Sequence, residues 1–427
     1  MIPKFLLSAA VAVTLAAATS TQPIGQGTER TFQVGVTGNT PAGRGNPQAA
    51  LNHPAVRPVV LAIADAPLPL ADAEARLKPS TYTVPDLASL GLVKVIDGRV
   101  LLAFNYLSAD DQRTMKARAQ SYGRSLADAI LRERGAIEAL AAPVAQSDAE
   151  LRQILFFIVG CVGLDWDGLD FTAEKAYRSP PTVKGETFAY TPWMKENAPD
   201  LSRRGLYWGS HNFAAGSVTL TTFGDHYSLP RRGLPDIINN QVNPFPILAS
   251  PDTAAVAGRR LLIAYGGAML QDFASVIQAV HRGQATRGQV VNSTGLPANR
   301  VTALVEVLKA AELMVEDGDQ LRLRMLVMTE AAAPAARQIL ARVRAAMDAW
   351  HVAHYATVKA ELAGLTAVKQ ATTFEVMYTE IWHYIFGHTN LYLAEAGLIT
   401  DPYAAGWPFP GFVPVLWANV LSPSPRS

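Results

Sequence analysis

Between Gln271 and Thr329 the hydrophobic period changes from that of a helix to that of a strand, and this change constrains the fold more than any other feature of the chain. Residues Met269 to His281 place Phe273, Val276, Ile277 and Val280 on one helical face, and Gly283 ends the run. Thr286 opens a short second helix that reaches about Ser293, and Gly295 closes it, since glycine enters a left-handed cap without strain. Pro297 suits the first turn of a third helix, which runs to about Leu313 with Val301, Leu304, Val305 and Leu308 facing inward. Glu316-Asp317-Gly318-Asp319 is then a polar turn between Leu313-Met314-Val315 and the alternating Leu321-Arg322-Leu323-Arg324-Met325, which is the pattern of a β-hairpin.

The stretch TRGQVVNSTGLPANRVTALVEVLKAAELMVEDGDQLRLRMLVMT resembles the winged helix-turn-helix of MarR- and ArsR-like regulators, over about 60 residues near 270–329. The resemblance implies a helix that enters the major groove and a wing that touches phosphate. The nucleic-acid contacts would then be Arg300 and Lys309 on the helix and Arg322 and Arg324 on the wing. The wing tip itself carries Glu316, Asp317 and Asp319, which repel phosphate, so nucleic acid is a disfavoured partner.

A partial second copy lies upstream, near 60–108. GLVKVIDGRVLLAFNYLSADD and AELMVEDGDQLRLRMLVMTEAA share a strand, an Asp-Gly turn, a second strand and a Ser or Thr helix cap in the same order. Ser108 and Thr329 are expected to be equivalent N-caps. Each opens a long Ala- and Arg-rich helix, about Ala109 to Leu140 and Glu330 to Gly364, and a more hydrophobic helix follows each, Ala149 to Gly163 and Thr373 to Gly397. The expected fold class is mainly α with small β-hairpins (α+β), built from duplicated winged-helix-like modules with appended long helices. The two hydrophobic helices are expected to bury each other as an intramolecular pseudo-dimer.

Met1 to Ala18 has the layout of a signal peptide: Lys4, an apolar run from Phe5, and Ala16-Ala17-Ala18 as a cleavage site. Cys161 is the only cysteine, so no lipobox and no internal disulfide exist. The expected location is periplasmic or secreted, with no membrane span after signal cleavage, because the run from Ile154 to Leu164 is too short to cross a bilayer. The net charge of +1 excludes a basic field that would collect nucleic acid or anionic lipid. The expected organisation is a signal peptide (1–18), a flexible Gly- and Pro-rich leader (19–58), a first module with its helices and aromatic loops (59–243), a linker (244–258), and a second module with its helices and aromatic tail (259–427).

Four side chains could hold a divalent metal. His351 and His354 lie three apart on one expected helix, and Glu380 and His383 three apart on the next. Residues at that spacing share a helix face, and Glu-x-x-His serves metal-binding bundles. Aromatic packing is the competing explanation, since Trp350, Tyr355, Trp382 and Tyr384 surround them in sequence. No other cofactor is predicted. Asp165, Asp167 and Asp170 lack the glycine position of a calcium loop and fit an acidic turn at a helix end. Ser210, His211, Asp225 and His226 lack a nucleophile elbow. The balance leans against an enzyme. The leading expectation is an exported, non-enzymatic scaffold or binding protein for a protein or small-molecule ligand. The alternatives are a metal-dependent enzyme using the His and Glu residues on paired helices, and a winged-helix DNA-binding transcriptional regulator.

Overall fold

The computed structural model describes residues 30–40, 45–170, 183–184, 189–201, 204–225 and 268–421. The expected signal peptide, the linker at 244–258, and His226 lie outside them. The fold is mixed α+β, mainly helical with small sheets.

The leader expected to be flexible contributes the first strand, β1 (Phe32–Asn39), then α1 (Pro47–Asn52) and the start of α2 (Arg57–Asp65). Glycine at position 35 is what lets β1 join a sheet. A β-carbon there would lie 2.3 Å from the Trp193 ring, which covers it from the neighbouring strand. After α2 come β2 (Leu68–Pro69), α3 (Leu70–Leu77), α4 (Val84–Ser89), and the hairpin β3 (Val93–Ile96) and β4 (Arg99–Leu102), in the sheet order β2-β4-β3. Asp97 and Gly98 both take positive φ, as a tight two-residue turn demands.

Strand β5 (Asn105–Leu107) leads into the long helix α5 (Ala109–Leu131). Ser108 caps it reciprocally with Asp111. The helix is shorter than expected: it ends at Leu131 with Arg132 as its C-cap, and α6 (Arg134–Ala141) and α7 (Asp148–Leu155) follow. From α7 the chain widens into a π-helix, Phe156–Asp167, in which every residue is buried. Asp165 and Asp167 therefore lie within a helix, not in a terminating turn. β6 (Val183–Lys184) and β7 (Ala189–Glu196) follow, then the hairpin β8 (Trp208–Ala215) and β9 (Val218–Asp225). Of the aromatic region expected to be irregular apart from a strand at Val218 to Thr222, the described residues from 183 onward are largely strand.

The organising stretch forms α8 (268–281), α9 (Arg287–Thr294), α10 (Ala298–Ala310) and the hairpin β10 (Met314–Asp317) and β11 (Gln320–Leu323). Thr286 and Gln289 form a capping box, and Gly295 closes α9 at φ 69°. Next come β12 (Leu326–Met328) and α11 (Ala333–Glu361). Thr329 makes no side-chain cap, unlike Ser108, and Ala332 offers no carboxylate for the reciprocal half of a capping box. The last long helix, α12 (Phe374–Glu395), is buried almost all round, and β13 (Phe412–Ala418) closes the described chain.

Two four-stranded sheets result. In one, β7 pairs antiparallel with β1 and parallel with β5; in the other, β13 pairs parallel with β12 and antiparallel with β9, which pairs with β8. In both, the strand before a long helix lies parallel to a strand that returns after it. The helices cross between the halves: α5 packs along α12, and α11 packs on the π-helix. At Gly123 of α5 a β-carbon would stand 2.9 Å from the Ile385 carbonyl and the Thr389 amide, so the two backbones touch there. One large core spans these elements and the α2–β4 unit, while 268–325 has a second core against Val218, Leu220, Phe412 and Leu416 of the sheet.

Candidate functional site

A fully buried ion pair sits beside one tyrosine. Lys195 of β7 and Glu380 of α12 form an ion pair at 2.6 Å, with side chains 1% and 0% exposed. The Lys195 ammonium lies 3.1 Å from the centre of the Tyr207 ring, 4.5 Å from that of Trp193 and 5.9 Å from that of Tyr384. Thr37 of β1 donates to the other Glu380 oxygen at 3.3 Å. His383 also stacks with Tyr207, at 4.7 Å and 14°. His383 Nε2 is 4.0 Å from Asp165 of the π-helix. The first-half residues Asp165, Lys195 and Tyr207 thereby converge on Glu380 and His383 of the second half.

Alternation along β7 puts Trp193 and Lys195 on one face, and the helical period of α12 puts Glu380 and His383 within one turn. Burial pushes the Lys195 ammonium down to about 8, against the opposing pull of Glu380. A lysine so displaced is a competent base or nucleophile once a substrate reaches it. Here aromatic rings and strand backbone seal it, and the arrangement holds charge without presenting it.

The four metal candidates do not converge on one point. His351 Nδ1 donates to the Met347 carbonyl at 2.9 Å, and its ring lies against Trp382 at 4.8 Å. Burial drives its pKa down to about 4. His354 sits half-buried against Tyr122 and Trp350. Glu380 turns to Lys195, and His383 donates from Nδ1 to the Thr379 carbonyl at 2.5 Å. Among the described residues no three His, Cys, Asp or Glu side chains form a metal-holding group. Both imidazoles bonded to their own helix carbonyls are oriented by that bond toward aromatic neighbours.

The nucleic-acid candidates are mostly engaged in ion pairs. Arg300 pairs with Asp272. Lys309 reaches Glu316 at 2.8 Å and Glu306 at 3.4 Å, and Arg287 binds the same two acids. The Arg287 guanidinium and then Lys309 hold the Glu316 carboxyl down at about 2. Arg322 lies 3.7 Å from Asp317 with both side chains exposed, and Arg324 is exposed. The sequence shows these charges but not that each base of α10 has an acid within reach.

Ser210 accepts from the Trp166 indole at 2.7 Å, and Asp225 accepts from the Gly205 amide at 2.7 Å and the Tyr403 hydroxyl at 2.5 Å. Cys161 is buried in the π-helix. Sequence reasoning missed Lys195 and Tyr207. The only signal available was a lysine two residues after a tryptophan in an alternating segment. It also missed an open groove of about 980 Å³ between α5 and α11, walled by Ser125, Ala129, Arg132, Ala345, Ala349 and Trp350. No helix among the described residues is long and apolar enough to cross a membrane. The chain matches no family model, no curated protein and no solved structure.

Proposed function

We propose that this chain is an exported, non-enzymatic binding scaffold made of two winged-helix-like modules whose long helices close on each other as an intramolecular pseudo-dimer. The observation that carries this reading is the reciprocal crossing of the halves, α5 on α12 and α11 on the π-helix. Each half covers the hydrophobic helix of the other, as subunits of a symmetric dimer do. Two element orders support the duplication. The unit from α2 to β4 runs helix, strand, two helices, hairpin, and the unit from α8 to β11 runs three helices and a hairpin. The pairing of Arg287, Arg300 and Lys309 with Asp272, Glu306 and Glu316 leaves little charge for phosphate, which argues against a DNA reader. The sealing of Lys195 and Glu380 argues against catalysis at this buried charged centre.

The test expresses the full chain in a bacterial host, fractionates the cells and sequences the mature N-terminus. The expected product starts after Ala18, is recovered outside the cytoplasm, and shows no salt-dependent retention of duplex DNA. An unprocessed cytoplasmic chain that binds DNA with a steep salt slope would overturn the reading in favour of a regulator.

A further inference from the structure

The seam between the β1–β7–β5 sheet and α12 holds more polar groups than it pairs. Asn105 of β5 is fully buried, and its Nδ2 donates to the Val376 carbonyl of α12 at 3.4 Å. Its Oδ1 has no hydrogen-bond partner among the described residues. Thr379 lies one turn beyond Val376, is 1% exposed, and its Oγ1 also has no partner among the described residues. Further along α12, Thr389 donates its hydroxyl to the Ile385 carbonyl four residues back, at 2.9 Å. Thr379 makes no such bond and leaves its hydroxyl to the seam. The third group is the Lys195 ammonium. It brings three N–H donors, and its close neighbours are Glu380 at 2.6 Å and the centre of the Tyr207 ring at 3.1 Å, so at least one donor is left over.

Strand register explains why these groups meet. Asn105 pairs with Trp193 and Leu107 with Lys195, in parallel, so Asn105 and Lys195 lie two residues apart on one face of neighbouring strands. Opposite them, Val376 to Glu380 spans only about 6 Å of the helix axis.

We infer that this seam binds an internal water molecule, held by Asn105 Oδ1, Thr379 Oγ1 and Lys195 Nζ. The inference goes beyond the binding-scaffold reading and does not depend on it. An internal water commonly takes about three hydrogen bonds, and three groups are offered here. Asn105 accepts, Lys195 donates and Thr379 can do either, which matches a molecule that both donates and accepts. An ion fits poorly: Lys195 repels a cation, Glu380 repels an anion, and the pair has no net charge to balance.

Thr379→Val keeps the shape of the side chain and removes its hydroxyl. If that hydroxyl had no partner, its loss would leave the urea midpoint unchanged or raise it. With the water in place the midpoint is expected to fall, because the change strips one of the groups that hold it. Asn105→Leu is expected to lower the midpoint too, and the double variant to lose less than the sum of the single losses, since either change alone already loosens the shared water. Oxygen-17 relaxation dispersion on the full chain counts long-lived internal waters directly. The count is expected to be one lower in Thr379→Val than in the parent, and this measurement decides even if Asn105→Leu does not fold. A midpoint raised by Thr379→Val, additive losses in the double variant, or an unchanged water count overturns the proposal. So does a high-resolution crystal structure in which the density beside Thr379 Oγ1 belongs to a larger solute.

Discussion

Lys195 and Glu380 illustrate how a buried pair can be costly to break and cheap to replace. Each is surrounded by low-dielectric material, so removing one partner leaves the other charge uncompensated. Lys195→Met or Glu380→Gln alone is expected to lower stability by about 3–5 kcal/mol, while the double change to methionine restores most of that loss. Urea unfolding of the three variants checks this; a double-variant loss equal to the sum of the two single losses would show that the pair is not coupled. Two histidines give a separate pH dependence. His351 and His388 are held down to about 4 by burial, below the ordinary 6.5. Between those values the unfolded chain takes up protons that the folded chain refuses. Stability is therefore full above pH 6.5 and falls as pH drops toward 4, by up to about 3 kcal/mol for each ring. Urea midpoints at pH 7, 5.5 and 4 are expected to decline, and a His351→Leu variant to decline less steeply. A parallel decline in that variant would assign the acid sensitivity to carboxylates instead.

Among the elements, the crossing of α5 and α12 is set by a missing side chain. With glycine at position 123 the α5 backbone reaches the Ile385 carbonyl and the Thr389 amide; any β-carbon must push the helices apart. Gly123→Ala is expected to cost about 1–3 kcal/mol in the chemical denaturation midpoint despite alanine's better helix propensity. If the variant is as stable as the parent, the close crossing is wrong. The same contrast explains what could be read in the sequence. The run from 268 to 323 was legible because its caps, its glycines and its change of period are local signals. α12 was legible as a hydrophobic helix, but its burial on all sides was not, since the spacing of Glu380 and His383 says only that they share a face, not that a lysine and a tyrosine of other elements cover it. β1, β7 and β13 were missed for a related reason. Their partners are distant in sequence, and β1 was hidden by the glycine that Trp193 requires. The wide turns of Phe156–Asp167 give no periodic signal at all, because every side chain is apolar or buried. At the site, the Glu-x-x-His spacing was visible, but its partners Lys195, Tyr207 and Asp165 come from three other elements and no spacing rule links them.

In the molecule as a whole, the halves are interlaced rather than adjoined. The hairpin β8–β9 comes from the first half yet pairs with β13 of the second, α5 lies along α12, and α11 lies on the π-helix. Main-chain hydrogen bonds, helix crossings and the Lys195–Glu380 pair therefore all connect residues before 226 to residues after 267. The apolar faces they bury belong to one core that both halves supply, so removing either half strips that core, and the separate core of 268–325 loses Val218 and Leu220. A chain carrying an engineered protease site between Asp225 and residue 268 is expected to remain a single particle after complete cleavage, with both fragments eluting together in size exclusion and unfolding in one cooperative transition. Each fragment expressed alone is expected to aggregate, because α12 or the π-helix would then expose its buried length to water. Spontaneous separation of the cleaved fragments into two soluble, folded species would show that the halves are independent domains, and with that result the proposed pseudo-dimer would lose its physical basis.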